Sequence, residues 1–300
     1  VKFGSTVANI LLSWKSLFKI HSFFKKNRFD IVHIHEPLVP FISIFALIFS
    51  KNKTVLTFHS TIKKSWMFKV WGFLFKPWLY KKDCFIAVSK SAKDSLLNYN
   101  YNLNVEIHPN GVANALFKNQ KNQKKDKIKI LFVGRNEERK GAEILLKAFQ
   151  IMKKNNIKKS FELVLIGQDI DKLINKYPSI EQCKFIGHTE GEKLYKHYFD
   201  SDILCAPAIE NESFGIILIE AMASKNVVVA SDISGYKELI NNKNGILFKN
   251  KDIHDLANKL TLLIENDNLR LSLKNNGYEF SKNYKWEYVA KKIFKTYKKL

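Results

Sequence analysis

Apolar and polar positions along this chain follow two periods. Short runs of β-branched and aromatic residues predict strands over residues 31–35, 54–58, 83–88 and 105–108. A second series covers 128–133, 161–166, 184–186, 203–206, 227–230 and 246–248. Residues 142–153, 190–199 and 215–223 carry helical spacing between them. Strands that alternate with helices imply crossover connections and parallel sheets, hence an α/β fold. The uninterrupted apolar runs 130–133 and 163–166 fit strands buried on both faces.

The alternation breaks once. Residues 118–127 are Lys, Asn, Gln and one Asp with nothing apolar, the composition of a solvated linker. The predicted organisation is a first domain over 1–117, a linker over 118–127, a second domain over 128–283 and a final helix over 284–300. In that helix Trp286, Val289, Ile293 and Tyr297 recur at helical spacing.

Composition narrows the function classes. A 46% hydrophobic fraction in 300 residues can fill two cores. Cys84, Cys183 and Cys205 are odd in number and set mostly among apolar residues. They read as buried thiols in a reducing compartment, with no structural zinc. The formal charge of +22 raises nucleic acid as a partner. Lysine supplies most of it, the only arginines being Arg28, Arg135, Arg139 and Arg270. Nucleic-acid readers lean on arginine forks, and no recognition module is visible, so nucleic acid is discounted. An anionic membrane surface remains compatible. The longest apolar run, 38–49, is about 12 residues, against roughly 20 needed to span a bilayer, and no secretory signal is visible.

Candidate chemistry sits where predicted strands end. The segment Gly134-Arg135-Asn136-Glu137-Glu138-Arg139-Lys140-Gly141 leaves the strand ending at Val133. The carboxyl ends of parallel strands are where α/β folds bind ligands. Arg135 offers a planar fork and Lys140 a point charge, a pair suited to one diphosphate; a solvated basic turn is the plainer alternative. The segment Glu210-Asn211-Glu212-Ser213-Phe214-Gly215 follows the strand at 203–206 and opens a strongly apolar helix at about Phe214. Backbone N–H groups of Phe214, Gly215 and Ile216 would face an anion there. Glu212 lies at the helix mouth and Glu220 about two turns in. Glu220, between Ile219 and Ala221, is costly to bury without a diol or cation as partner. Either carboxylate alone is more simply a helix-dipole or solvent-facing group; the spaced pair with Phe-Gly inside is specific. His33 and His35 share one face of a strand, but no metal-ligand set accompanies them or His59.

These residues resemble the retaining glycosyltransferases of the GT-B fold. The resemblance covers nearly the whole chain and extends to Ala87-Val88-Ser89, Pro109-Asn110-Gly111-Val112, Ala230-Ser231-Asp232 and Gly235 with Glu238. Within that family the chain is most similar to the phosphatidylinositol mannosyltransferases, through His33-Ile34-His35-Glu36-Pro37, Thr57-Phe58-His59-Ser60-Thr61 and Glu212 through Ile216. The resemblance implies two Rossmann-like domains with parallel sheets facing a central cleft, the last helix crossing back to the first domain. It implies that Arg135 and Lys140 hold the donor's diphosphate and stabilise the leaving nucleotide, with Gly134 among the donor-binding residues. Glu212 would bind hexose hydroxyls beside Ser213, Phe214, Gly215 and Ile216. Glu220 would hold the ribose, Lys193 the base, and His59 would reach the sugar near the reacting carbon. No metal or other cofactor is implied. The donor is a nucleotide-sugar, with GDP-mannose the first reading, and the acceptor a phosphatidylinositol-like lipid or glycan at the inner face of the cell membrane.

Some features depart from the family or leave alternatives open. The family's opening strand and glycine-rich loop have no counterpart from Val1 on, so the sequence reads as lacking its extreme N-terminus. Lys225-Asn226 stands where a helix-ending glycine is usual, with Asn expected to accept the left-handed turn. Ala113 replaces a customary acidic residue. Segments 10–28 and 63–82 interleave aromatic and basic side chains, which suits either a lipid interface or packing on a sheet. A UDP-sugar donor for glycolipid or surface polysaccharide synthesis stays open. So do an epimerase or phosphorylase on the same fold, and a non-catalytic sugar-nucleotide-binding or membrane-docking remnant.

Overall fold

The computed structural model describes residues 2–3, 6–7, 15–61, 66–97, 103–118, 126–178 and 180–300. The chain divides into two compact units, Val1–Asn110 with Val289–Leu300, and Gly111–Tyr288. The division falls ahead of the linker expected at 118–127, most of which lies outside the described residues.

In the first unit β1 (Lys2–Phe3) and β2 (Thr6–Val7) form an antiparallel pair. Then follow α1 (Lys15–Lys26), β3 (Ile31–His35), α2 (Ile42–Phe49), β4 (Lys53–Phe58), α3 (Trp66–Leu79), β5 (Cys84–Ala87), α4 (Lys90–Leu97) and β6 (Val105–Ile107). Strands β3 to β6 form one parallel sheet in chain order. All of β5, and β4 beyond Lys53, are buried, as strands covered on both faces must be. Among the described residues no helix is long and apolar enough to cross a membrane; the apolar run at 38–49 contributes the eight-residue α2.

The second unit contains β7 (Ile128–Val133), α5 (Ala142–Lys154), β8 (Phe161–Ile166), α6 (Leu173–Lys176), β9 (Cys183–Ile186), α7 (Gly191–Phe199) and β10 (Ile203–Ala206). It continues through α8 (Ile216–Ala223), β11 (Val227–Ser231), α9 (Ser234–Lys237), β12 (Ile246–Phe248), α10 (Ile253–Glu265) and α11 (Asp267–Ser281). Its six strands are parallel in the order β12-β11-β10-β7-β8-β9. From β7 the chain first builds outward through β8 and β9, then returns to β7's other side with β10. The order therefore reverses between β7 and β10, the switch point at which loops splay apart and leave room for a ligand. The core beneath joins Ile130, Phe132, Leu163, Leu165 and Cys205 to Leu145, Phe149, Leu256 and Leu260 of α5 and α10. The last helix, α12 (Trp286–Lys298), belongs to the first unit from Val289 on.

Three local expectations are corrected. Helix α8 opens at Ile216, not Phe214, because Gly215 caps it in the left-handed conformation at φ 78°, outside the helical region. After α8 it is Lys225 that turns left-handed, at φ 60°, and not Asn226. The Asn226 amide is buried and donates to the Tyr198 carbonyl at 2.8 Å, a bond that keeps it in place. Cys84 and Cys205 are buried, but Cys183, on the edge strand β9, is only half-buried.

Glycine Gly167, after β8, lies so close to the neighbouring loop that a Cβ there would sit 1.8 Å from the Gly134 carbonyl oxygen, and its φ is +151°. Gly167→Ala is expected to cost at least about 2 kcal/mol through that clash. The check is urea unfolding, in which the midpoint should fall with little change of slope.

Candidate active site

The loops after β7 and β10 are pressed together, backbone to backbone. Gly141 ends the first at φ +72°, and a Cβ on it would lie 1.9 Å from the Pro207 carbonyl oxygen. Glycine alone tolerates both the angle and the approach. Beside it the Ile209 N–H donates to the Arg139 carbonyl at 2.8 Å. A third loop closes in from β11, since a Cβ on Gly235 would lie 1.9 Å from the Glu212 carbonyl oxygen.

This packing seats a carboxylate among cations. Arg139 Nη1 donates to Glu212 Oε1 at 3.0 Å, and Lys140 Nζ donates to the same oxygen. Arg139 Nε pairs with Glu137 Oε2 at 2.7 Å, and Glu137 Oε1 with Arg135 Nη1 at 3.2 Å. Five charged groups thus run in one chain: Arg135, Glu137, Arg139, Glu212 and Lys140. Their exposure is graded, Arg139 and Glu212 at 10% and 11%, Lys140 at 20% and Arg135 at 39%. Buried charges of this kind persist only when paired, which the alternation of sign achieves. Deeper in α8, Glu220 is half-buried and accepts from the Tyr198 hydroxyl at 2.8 Å. Burial raises its carboxyl above the usual range, with the Tyr198 hydrogen bond opposing.

The first unit holds a separate cluster. His33, on β3, shares one hydrogen bond with the Tyr297 hydroxyl at 2.5 Å and another with Thr57 Oγ1 at 2.6 Å. The His33 and His35 rings stack at 4.4 Å, and those of His35 and His59 at 5.0 Å. His35 Nδ1 and His59 Nε2 share a hydrogen bond of 2.7 Å, and the His59 backbone N–H donates to Glu36 Oε1 at 2.7 Å. Burial lowers the His59 imidazole below its ordinary range, a hydrogen bond to Asn110 opposing. Burial, then the neighbouring His59, lowers His35 as well. Among the described residues no group of three or more His, Cys, Asp or Glu could hold a metal ion.

Known proteins share this plan. Residues 114–280 match the family described as Glycosyl transferases group 1, and residues 2–115 match Glycosyltransferase Family 4. The chain belongs to the group 1 glycosyltransferases. A phosphatidyl-myo-inositol mannosyltransferase of Mycobacterium leprae is 30% identical over 99% of this chain and 80% of its own length. One from Mycolicibacterium smegmatis is 29% identical over 99% and 78%. Among solved structures, a glycosyltransferase of Rickettsia africae superposes with a TM-score of 0.79 at 22% identity, covering 100% of this chain and 84% of that one. HepE of Anabaena in complex with UDP gives 0.79 at 17% identity, covering 95% and 82%. The fold is GT-B, and the chain is a hexosyltransferase.

In this glycosyltransferase the expected residues fall into groups. Gly134, Arg135, Lys140, Glu212, Ser213, Phe214, Gly215 and Ile216 all lie in the adjoining loops after β7 and β10 or at the start of α8. Phe214 points its ring inward against Tyr284, 5.9 Å away, so only its backbone can serve a ligand. Lys193 is exposed on α7 and forms no hydrogen bond or ion pair with the others among the described residues. His59 belongs to the first unit. Arg139, Glu137 and Tyr198, which share the charges of this site, were not singled out from sequence, nor was His35 as a partner of His59. The rarity of arginine in the chain was the available signal for Arg139.

Burial, with His35 and His59 adding to it, lowers His33 from 6.5 to about 4. The unfolded chain therefore binds the extra proton first. The stability His33 contributes is complete above about pH 6.5 and is lost as the pH falls towards 4. His35 and His59 act in the same direction, while Glu36 and Asn110 oppose. The melting temperature should therefore fall between pH 7.5 and 5, and fall less steeply in His33→Asn.

Proposed function

We propose that the chain transfers mannose from GDP-mannose to a phosphatidylinositol-like lipid, with retention of configuration. The observation that carries this reading is the Glu212 carboxylate held beside Lys140 and Arg139 at the switch point, in a chain about 30% identical to phosphatidyl-myo-inositol mannosyltransferases over 99% of its length. Arg135 and Lys140 would take the diphosphate, where fixed cations stabilise the anion that departs. Glu212 would accept hydrogen bonds from hexose hydroxyls, and Glu220 from ribose hydroxyls. Lys193 would hold the base. No side chain in this set is assigned as a covalent nucleophile, so the proposed route is front-face attack through an oxocarbenium-like state.

Two helices support a membrane-borne acceptor. On α1, Phe18 is 74% and Phe23 52% exposed among Lys15, Lys19, Lys25 and Lys26. On α3, Val70, Phe73, Leu74 and Trp78 are exposed beside Lys69 and Lys76. Exposed aromatic and basic groups on one helix suit the interface of an anionic bilayer. A second reading, a UDP-sugar donor, is favoured by the UDP in the structure of HepE, a fold-level likeness only.

Calorimetric titration with GDP, UDP and ADP tests the donor reading. GDP is expected to bind tightest, unaffected by EDTA, and Lys140→Ala to weaken it at least tenfold, about 1.4 kcal/mol. Tighter UDP binding with the same Lys140 dependence would replace the base and keep the site. Binding of no nucleotide to folded protein would remove the donor site. For the membrane, co-sedimentation with phosphatidylinositol vesicles should drop on Phe18→Ser with Phe73→Ser and in high salt.

A further inference from the structure

Arg139 and Lys140 both contact Glu212 Oε1, but they are held very differently. The Arg139 guanidinium lies between two carboxylates, Glu137 at 2.7 Å and Glu212 at 3.0 Å, with a tenth of its side chain exposed. Its own carbonyl is fixed by the Ile209 N–H at 2.8 Å. The ring of Tyr236, wholly buried, lies close enough to both Glu212 and Arg139 to feel their charges. Lys140 is twice as exposed, its stem is flexible, and its ammonium is a point charge that bonds equally well in many directions.

Both cations cannot serve the donor alike. An arriving diphosphate presents a higher charge density than Glu212, and Lys140 can turn to it by rotating its stem. Arg139 would have to leave two carboxylates at once. We propose that Arg139 is a positioning residue for hexose recognition: it stays on Glu212 when Lys140 turns to the diphosphate, and keeps that carboxylate aimed at the sugar hydroxyls. This rests on the donor-site reading above. On this account Lys140 governs how tightly the nucleotide binds. Arg139, one residue away, governs how much the attached hexose contributes.

The experiment compares dissociation constants for GDP and GDP-mannose, or for UDP and UDP-glucose if UDP is the tighter nucleotide. It uses wild type, Lys140→Ala, Arg139→Gln, Arg139→Lys, Glu212→Gln and the Arg139→Gln, Glu212→Gln double variant. Arg139→Gln is expected to leave nucleotide affinity within about twofold, or about 0.4 kcal/mol. It should reduce the preference for the nucleotide-sugar over the nucleotide about tenfold, and Arg139→Lys should recover part of that. In the Glu212→Gln background the Arg139 substitution should change nothing further, because the residue acts through that carboxylate. Unchanged nucleotide affinity in Arg139→Gln also reports that the site is folded. The proposal is overturned if Arg139→Gln weakens nucleotide and nucleotide-sugar equally, the mark of a phosphate ligand or a structural role. It is equally overturned if neither affinity changes, or if the effect persists without Glu212. Loss of the underlying reading shows separately, as nucleotide binding that does not depend on Lys140.

Discussion

The site depends on close approach of backbone to backbone. Three glycines, Gly141, Gly167 and Gly235, each stand where a Cβ would lie within 2 Å of another loop's carbonyl oxygen. Together they draw the loops after β7, β8, β10 and β11 into one cluster at the carboxyl end of the sheet. No side chain could occupy those positions without pushing the loops apart. The strand order reverses beside this cluster, so the parallel sheet opens there to a ligand while the glycines hold its rim tight.

Charge follows from that packing. With Pro207 against Gly141 and Glu212 against Gly235, the Glu212 carboxylate pairs with both Arg139 and Lys140. A carboxylate this enclosed would otherwise be strongly destabilising. The arrangement leaves positive charge on the exposed side, through Lys140 and Arg135, and anchors it on the buried side, through Arg139 and Glu137. Cations held in this way would be preorganised for the diphosphate of the donor proposed above. The first unit holds a different chemistry, two hydrogen-bonded imidazoles, His35 and His59, whose proton affinity burial lowers.

What could be read from sequence divides along physical lines. The strands at 128–133, 161–166, 203–206 and 246–248 have the predicted bounds, and the unbroken apolar runs 130–133 and 163–166 within two of them are how parallel strands buried on both faces are written. The candidate site was placed on the same ground, since loops leaving such strands are where α/β folds bind ligands. The partners within it were not legible. Arg139 and Glu212 are 73 residues apart in the chain, and Tyr198 and Glu220 are 22 apart. No periodicity records a contact of that kind. His35 was set aside because two histidines on one strand face suggested a metal set that lacked members. The actual partner, His59, comes from the neighbouring strand's end. Lys225 turns left-handed in place of Asn226 because tertiary packing overrides local preference: Asn226 is committed to the Tyr198 carbonyl.

The central claim is that the loops after β7 and β10 form the donor site, and a crystal structure with GDP-mannose bound tests it most directly. The account predicts diphosphate oxygens on Arg135 and Lys140, hexose hydroxyls on Glu212 with Arg139 still at its side, and ribose on Glu220. A nucleotide bound elsewhere in the second unit, or a diphosphate that leaves the Lys140–Glu212 pair intact, would contradict it.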